Sequence, residues 1–186
     1  MSMFEFVLTG FTLVLALVIT RILAGLRWIL SSDRIYWVHT THVVCLLILT
    51  SLIWWVLWFQ RDNTWDYLSF AWNLLIGPGI MYFLAVLLVP DQPRRIRNWR
   101  IYFYSIRRLL YGSLLMMVVA AFVGGVLFNH LPGFHPVQLL FAVALALATT
   151  GWFATSARIH GALAILIATI VAVAVVFAAR STPDLQ

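Results

Sequence analysis

Six apolar stretches of roughly twenty residues each, parted by short polar turns, leave this chain few ways to fold. A helix rises about 1.5 Å per residue, so each stretch is long enough to cross the hydrocarbon layer of a bilayer. With 63% hydrophobic and 10% charged residues, a water-soluble core of this size would have too much apolar surface to hide. The expected fold class is all-α: one integral membrane bundle over residues 1–186. Its six transmembrane helices are expected at about 3–25, 36–59, 67–89, 106–128, 137–157 and 160–180, with the third broken at Gly77, Pro78 and Gly79. The start of the chain carries no positively charged leader, so the first stretch is expected to be kept as a helix.

The basic balance, 12 Lys+Arg against 6 Asp+Glu, would suggest nucleic acid in a soluble protein. Here every basic residue is an arginine flanking an apolar span, which points to anchoring in a membrane and away from nucleic acid. The absence of lysine excludes a retinal Schiff base or any other lysine imine. Positive charge alternates between connections. Arg21, Arg27 and Arg34 mark the first, Arg94, Arg95, Arg97, Arg100, Arg107 and Arg108 the third, and Arg158 the fifth. Arg61 in the second is offset by Asp62 and Asp66, and the fourth has no formal charge. The positive-inside rule then places the first, third and fifth connections in the cytoplasm and both termini outside.

Residues 93–108 form a basic interfacial segment, with arginines three apart at 94, 97 and 100 and Trp99, Tyr102, Phe103 and Ile106 between them. A voltage-sensing helix has this spacing, but residues 109–128 already supply a full apolar span without any of these charges. The reading adopted is arginines on lipid phosphate: Arg94, Arg95, Arg97, Arg100, Arg107 and Arg108, with anionic lipids of the cytoplasmic face as partners. In the last two spans, Ala142, Ala144, Ala146, Ala148, Gly151 and Ala154, then Ala164, Ala168 and Ala172, make small-residue faces. Helices five and six are expected to pack on each other, or a homo-oligomer or larger membrane complex to use the seam.

Few groups carry chemistry into lipid. Gly77, Pro78 and Gly79 lie near the middle of the third span with Asn73 one turn earlier, and a helix broken at that depth is where carriers bind their solutes. Glu5 and Arg21, ionisable groups inside the first span, are further pathway candidates. His39 and His42 share a helix face, and His160 starts the sixth span on the same side. The three are candidates to hold haem, face a quinone or relay protons. His130 and His135 lie in an uncharged turn without a carboxylate, and no metal site is expected there. Cys45, the single cysteine, reads as packing. Trp54, Trp55, Trp58, Trp65 and Trp72 gather about the second connection as an aromatic belt.

The run from Tyr36, Trp37, Val38 and His39 to Trp54, Trp55, Val56, Leu57 and Trp58, followed by Trp65 and a third span ending Leu88, Val89, Pro90, Asp91, resembles small hydrophobic bacterial inner-membrane proteins. The likeness covers roughly the first 110 residues. It implies a bacterial inner-membrane location and transfers no activity and no catalytic residue. No metalloprotease helix, phosphate loop or serine elbow occurs, so no catalytic residue is assigned and an enzyme is not expected. The leading expectation is an oligomeric channel or carrier for an ion or small solute. The alternatives are a haem- or quinone-binding membrane subunit, or a non-catalytic scaffold within a membrane complex.

Overall fold

The computed structural model describes residues 3–58, 61, 65–128 and 136–180, and among them the chain forms apolar helices and no strand. We number the helices α1 (Met3–Leu30), α2 (Trp37–Leu57), α3, α4 (Trp99–Phe128), α5 (Pro136–Phe153) and α6 (Ala157–Arg180). Helix α3 has three parts, Tyr67–Ala71, Trp72–Ile76 and Gly77–Leu88. All but α5 are long and apolar enough to cross a membrane; α5, with 18 residues, is apolar but shorter. His130 and His135 lie outside the described residues.

Large apolar side chains cover the helix surfaces, and six polar side chains are buried among the described residues. Leu13 is 65% exposed and Phe177 71%, whereas His39, His42, Thr50, Ser69, Ser113 and His160 are buried. Water would not tolerate so continuous an apolar surface; lipid does. The buried hydroxyls turn back onto their own helices, Thr50 onto the Leu46 carbonyl at 2.7 Å and Ser113 onto that of Leu109 at 2.7 Å.

Where hydrocarbon surrounds the helices, association rests on close packing, and this bundle sets large side chains onto glycines. A Cβ at Gly124 of α4 would lie 2.7 Å from Trp72 Nε1, and one at Gly161 of α6 3.2 Å from the ring of Trp37. Val89 sits on Gly25 of α1. Between α4 and α5 the arrangement is reciprocal: Tyr111 lies on Gly151, and Trp152 lies on Gly112.

Several boundaries differ from expectation. Helix α1 runs on to Leu30, because Gly25 serves packing against Val89 and does not end the helix. Helix α4 begins at Trp99, so the second half of the basic segment forms its first turns. Its 30 residues span about 45 Å, well beyond a hydrocarbon layer of about 30 Å. Trp99, Phe103, Ile106 and Leu110 turn into the bundle there, while Arg100 and Arg108 stay exposed.

The interruption in α3 takes the form of a π turn at Trp72–Ile76, just before Gly77 and Pro78. Wider i→i+5 pairing lets a carbonyl skip the position whose N–H proline lacks, so the helix bends and continues. The pairing expected for helices five and six is corrected. They are joined by residues 154–156 and then diverge, α5 packing on α4 and α6 on α2. The reason is the partner each small face receives: Gly151 takes Tyr111, and Gly161 takes Trp37.

Candidate functional site

Two features stand out inside the bundle, a hydrogen-bonded histidine–tyrosine cluster toward the arginine-rich end and an apolar cavity toward the other. The cluster draws on three helices. His42 lies five residues into α2, Tyr111 in the first half of α4, and His160 three residues into α6. All three are buried. His42 Nδ1 is 2.7 Å from the Val38 carbonyl, and its Nε2 is 3.3 Å from the Tyr111 hydroxyl. The same hydroxyl is 3.3 Å from His160 Nδ1, and His160 Nε2 is 3.2 Å from the Ala154 carbonyl. Phe103, fully buried, contacts both imidazoles at centroid distances of 5.6 and 5.4 Å.

A carbonyl only accepts, so each imidazole nitrogen beside one must carry the hydrogen. His42 is thereby an Nδ1–H tautomer and His160 an Nε2–H tautomer, and each turns a bare nitrogen toward Tyr111. Gly151 matters here because its missing side chain lets the Tyr111 ring reach this position.

His39 does not join them. Its ring stacks on Trp99 at 4.9 Å and meets Tyr102 edge-on at 5.8 Å. Among the described residues neither of its nitrogens has a partner at hydrogen-bond distance; the Leu88 backbone lies near the ring at longer range. The end of α3 is held from two other helices as well. Tyr102 of α4 donates to the Leu87 carbonyl at 2.7 Å, and Arg21 Nε of α1 donates to that of Val89 at 2.9 Å. Arg21 also pairs with Asp91 at 2.6 Å. Its position inside the first span is thus explained by closure of a helix end whose last carbonyls lack partners of their own.

The cavity, about 290 Å³, lies between α1, α2, α3 and α4. Asn73 and Gly77 line it with Trp72, Met81, Met117 and Gly124. Asn73 donates one amide hydrogen to the Ser69 carbonyl at 2.9 Å. Pro78 is buried and Gly79 exposed, and neither lines the cavity. Glu5 is exposed at the start of α1 and lies apart from it. A smaller void of about 50 Å³ follows along α2, α3 and α4, closed by α6 in place of α1; Leu46, Leu49, Leu84, Leu110 and Leu114 line it and it reaches His42.

At the arginine-rich end, the guanidinium groups of Arg27 and Arg94 lie over the Trp28 ring at 4.6 and 4.1 Å. Open clefts of about 460 and 630 Å³ flank it, edged by Arg27, Arg34, Arg94, Arg95 and Arg97. Arg100 and Arg108 are exposed on α4, and Arg107 lies over Tyr104 at 5.8 Å. Asp66, outside the membrane-spanning segments, caps α3 by accepting the Ser69 N–H at 2.7 Å, and this contact holds its carboxyl below the usual aspartate range.

Tyr111 is the residue that reading the sequence missed. Its signal was a phenol inside an apolar span, where a hydroxyl without a partner is costly and therefore marks a partner on another helix. Among the described residues, no group of three or more His, Cys, Asp and Glu side chains is placed to hold a metal ion. Comparison with protein-family models, characterised proteins and solved structures gave no match, so the chemistry rests on this chain's own residues.

Proposed function

We propose that the protein is a multi-pass carrier of the bacterial inner membrane that moves a small, neutral, largely apolar solute along the seam between α2, α3 and α4. The observation that carries this reading is the cavity of about 290 Å³ at the π turn, near the lower end of small-molecule pockets. Its lining holds one amide, two methionines and no charged group, which suits a neutral solute better than an ion. Four helices of one chain line it, which supports carriage within a single copy. The leucines around the smaller void make an apolar constriction between the cavity and the arginine-rich end. A haem is a poor fit beside the histidines, since the void at His42 is about 50 Å³ and the histidine nitrogens facing carbonyls are already engaged.

The arginine-bearing connections lie on the cytoplasmic side in this reading, both termini face outward, and the clefts beside Trp28 take the phosphates of anionic lipids. Proteoliposomes tested with a panel of small neutral solutes provide the assay. Flux is expected, and Ala120→Phe, which fills the cavity, and Asn73→Leu should reduce it at unchanged melting temperature. Absence of flux across the panel, or equal flux in all three proteins, would remove the reading. Gln92→Cys in a Cys45→Ala background should resist an impermeant maleimide on intact cells; labelling there reverses the orientation.

A further inference from the structure

The donor and acceptor count in the buried cluster does not close when both histidines are neutral. The Val38 and Ala154 carbonyls fix the hydrogens on His42 Nδ1 and His160 Nε2. His42 Nε2 and His160 Nδ1 then face the same Tyr111 oxygen, each at 3.3 Å, and that oxygen has one hydrogen to give. Whichever nitrogen receives it, the other sets a lone pair against the lone pairs of the phenol. One added proton completes the chain: the second nitrogen becomes a donor to the phenol oxygen, and the phenol hydrogen goes to the first. A second added proton breaks it again, because the phenol hydrogen then has no acceptor and two cations share one buried oxygen.

We propose that His42, Tyr111 and His160 form a binding site for a single proton, shared between the two imidazoles through the Tyr111 hydroxyl. The inference stands on this geometry alone and does not depend on the carrier reading. The surroundings are set by every packed element. From α2 and the turn before it, His39 lies within electrostatic reach of His42, Cys45 follows one turn on, and Tyr36 acts on Tyr111. From α4, Arg107 acts on His160, and Tyr104 lies 5.5 Å from its ring. From α5 come the Gly151 backbone and from the turn after it the Ala154 carbonyl; α3 contributes Leu84 and Leu88. Among the described residues no carboxylate contacts the three side chains, so carbonyl and phenol dipoles hold the charge. His160 bonds to the turn between α5 and α6, whose residues 155 and 156 are exposed.

Solid-state NMR of the ¹⁵N-histidine-labelled full chain in bilayers tests this, with His42→Gln and His160→Gln assigning the signals. At pH 8, His42 should show its hydrogen on Nδ1 and His160 on Nε2. On acidification to pH 4 both rings should change at one common pH, with one proton taken up per chain. In Tyr111→Phe the common transition should be lost, each ring changing at its own pH. An Nε2–H tautomer for His42 at pH 8, two independent protonations in the wild type, or no uptake down to pH 4 would overturn the proposal. The wild-type tautomers and proton count decide the matter even where Tyr111→Phe does not fold.

Discussion

Gly151→Ala is the smallest change that attacks the seating of Tyr111, and its cost follows from the contact itself. A Cβ built on Gly151 points into the Tyr111 ring, with Cζ 2.5 Å away. Unstrained carbon–carbon contacts lie at about 3.5–4.0 Å, so the shortfall is about 1 Å. The ring has no free direction in which to move. Tyr111 is fully buried, and its hydroxyl is held between His42 and His160. Helix α5 is equally constrained, since Trp152 beside Gly151 is seated on Gly112. Overpacking of this kind costs about 1–3 kcal/mol. At about 2–4 °C per kcal/mol for a protein of this length, the melting temperature should fall by about 2–12 °C. Cys45 provides the readout, being the single cysteine and buried, so a thiol-reactive fluorophore reports unfolding in detergent at a fixed scan rate. Combining Gly151→Ala with Tyr111→Leu removes the ring that the methyl strikes, so the double variant should lose less than the two single losses added. A Gly151→Ala protein that melts with the wild type, or strict additivity in the double variant, would refute the argument.

Four further substitutions probe other contacts by the same Cys45 assay. Arg21→Ala leaves the Val89 carbonyl without its donor and should cost about 1–3 kcal/mol, while Asp91→Asn, at an 84% exposed carboxylate, should cost no more than about 1 kcal/mol. Equal losses would show that the ion pair, and not the helix end, is what Arg21 serves. The Asp66 carboxyl is held low by Ser69, so its contribution is complete above the ordinary aspartate value of about 3.9 and is lost as pH falls through the lower folded value. Asp66→Asn should therefore flatten the acid limb of the stability profile, and an unchanged limb assigns the acid loss to another group. Ala168→Leu extends into a cleft of about 380 Å³ beside Trp37, Thr41 and Cys45, so its effect should stay within about 0.5 kcal/mol; a large loss would mean that α6 and α2 close on each other there.

The membrane character and the approximate spans were legible because they depend on quantities summed over twenty residues. Boundaries were harder, and for a physical reason. Gly25 reads as a stop in water, yet in a packed bundle it is the place where Val89 comes to rest. The arginines at 97, 100, 107 and 108 draw attention from Trp99, Phe103, Ile106 and Leu110, whose spacing of three to four already described an inward helical face. The pairing of α5 with α4 was out of reach, since a small-residue face states that something approaches closely and does not say what. The complement was present all the same: tyrosine beside glycine at 111 and 112, glycine beside tryptophan at 151 and 152, each large ring answering the other helix's glycine.

For the candidate site, the sequence supplied residues and the bundle supplied partners. His39 and His42 share a face by their spacing, but a face three residues wide touches two neighbours. His42 meets Tyr111 while His39 meets Trp99, about three turns nearer the start of α4, which separates a hydrogen-bonded imidazole from one with no bond at either nitrogen among the described residues. Asn73 and Gly77 were legible as cavity residues because a proline with flanking glycines disturbs a helix wherever it lies. What joins the two regions is periodicity along one seam. Ile53, Met81 and Met117 line the larger cavity, and Leu49, Leu84 and Leu114, three to four residues nearer the arginine-rich end, line the smaller void that reaches His42. The three helices thus step from cavity to constriction to histidine in register. A proton gained at His42 and His160 adds charge about one to two turns beyond the leucines, where low polarity leaves that charge little screened.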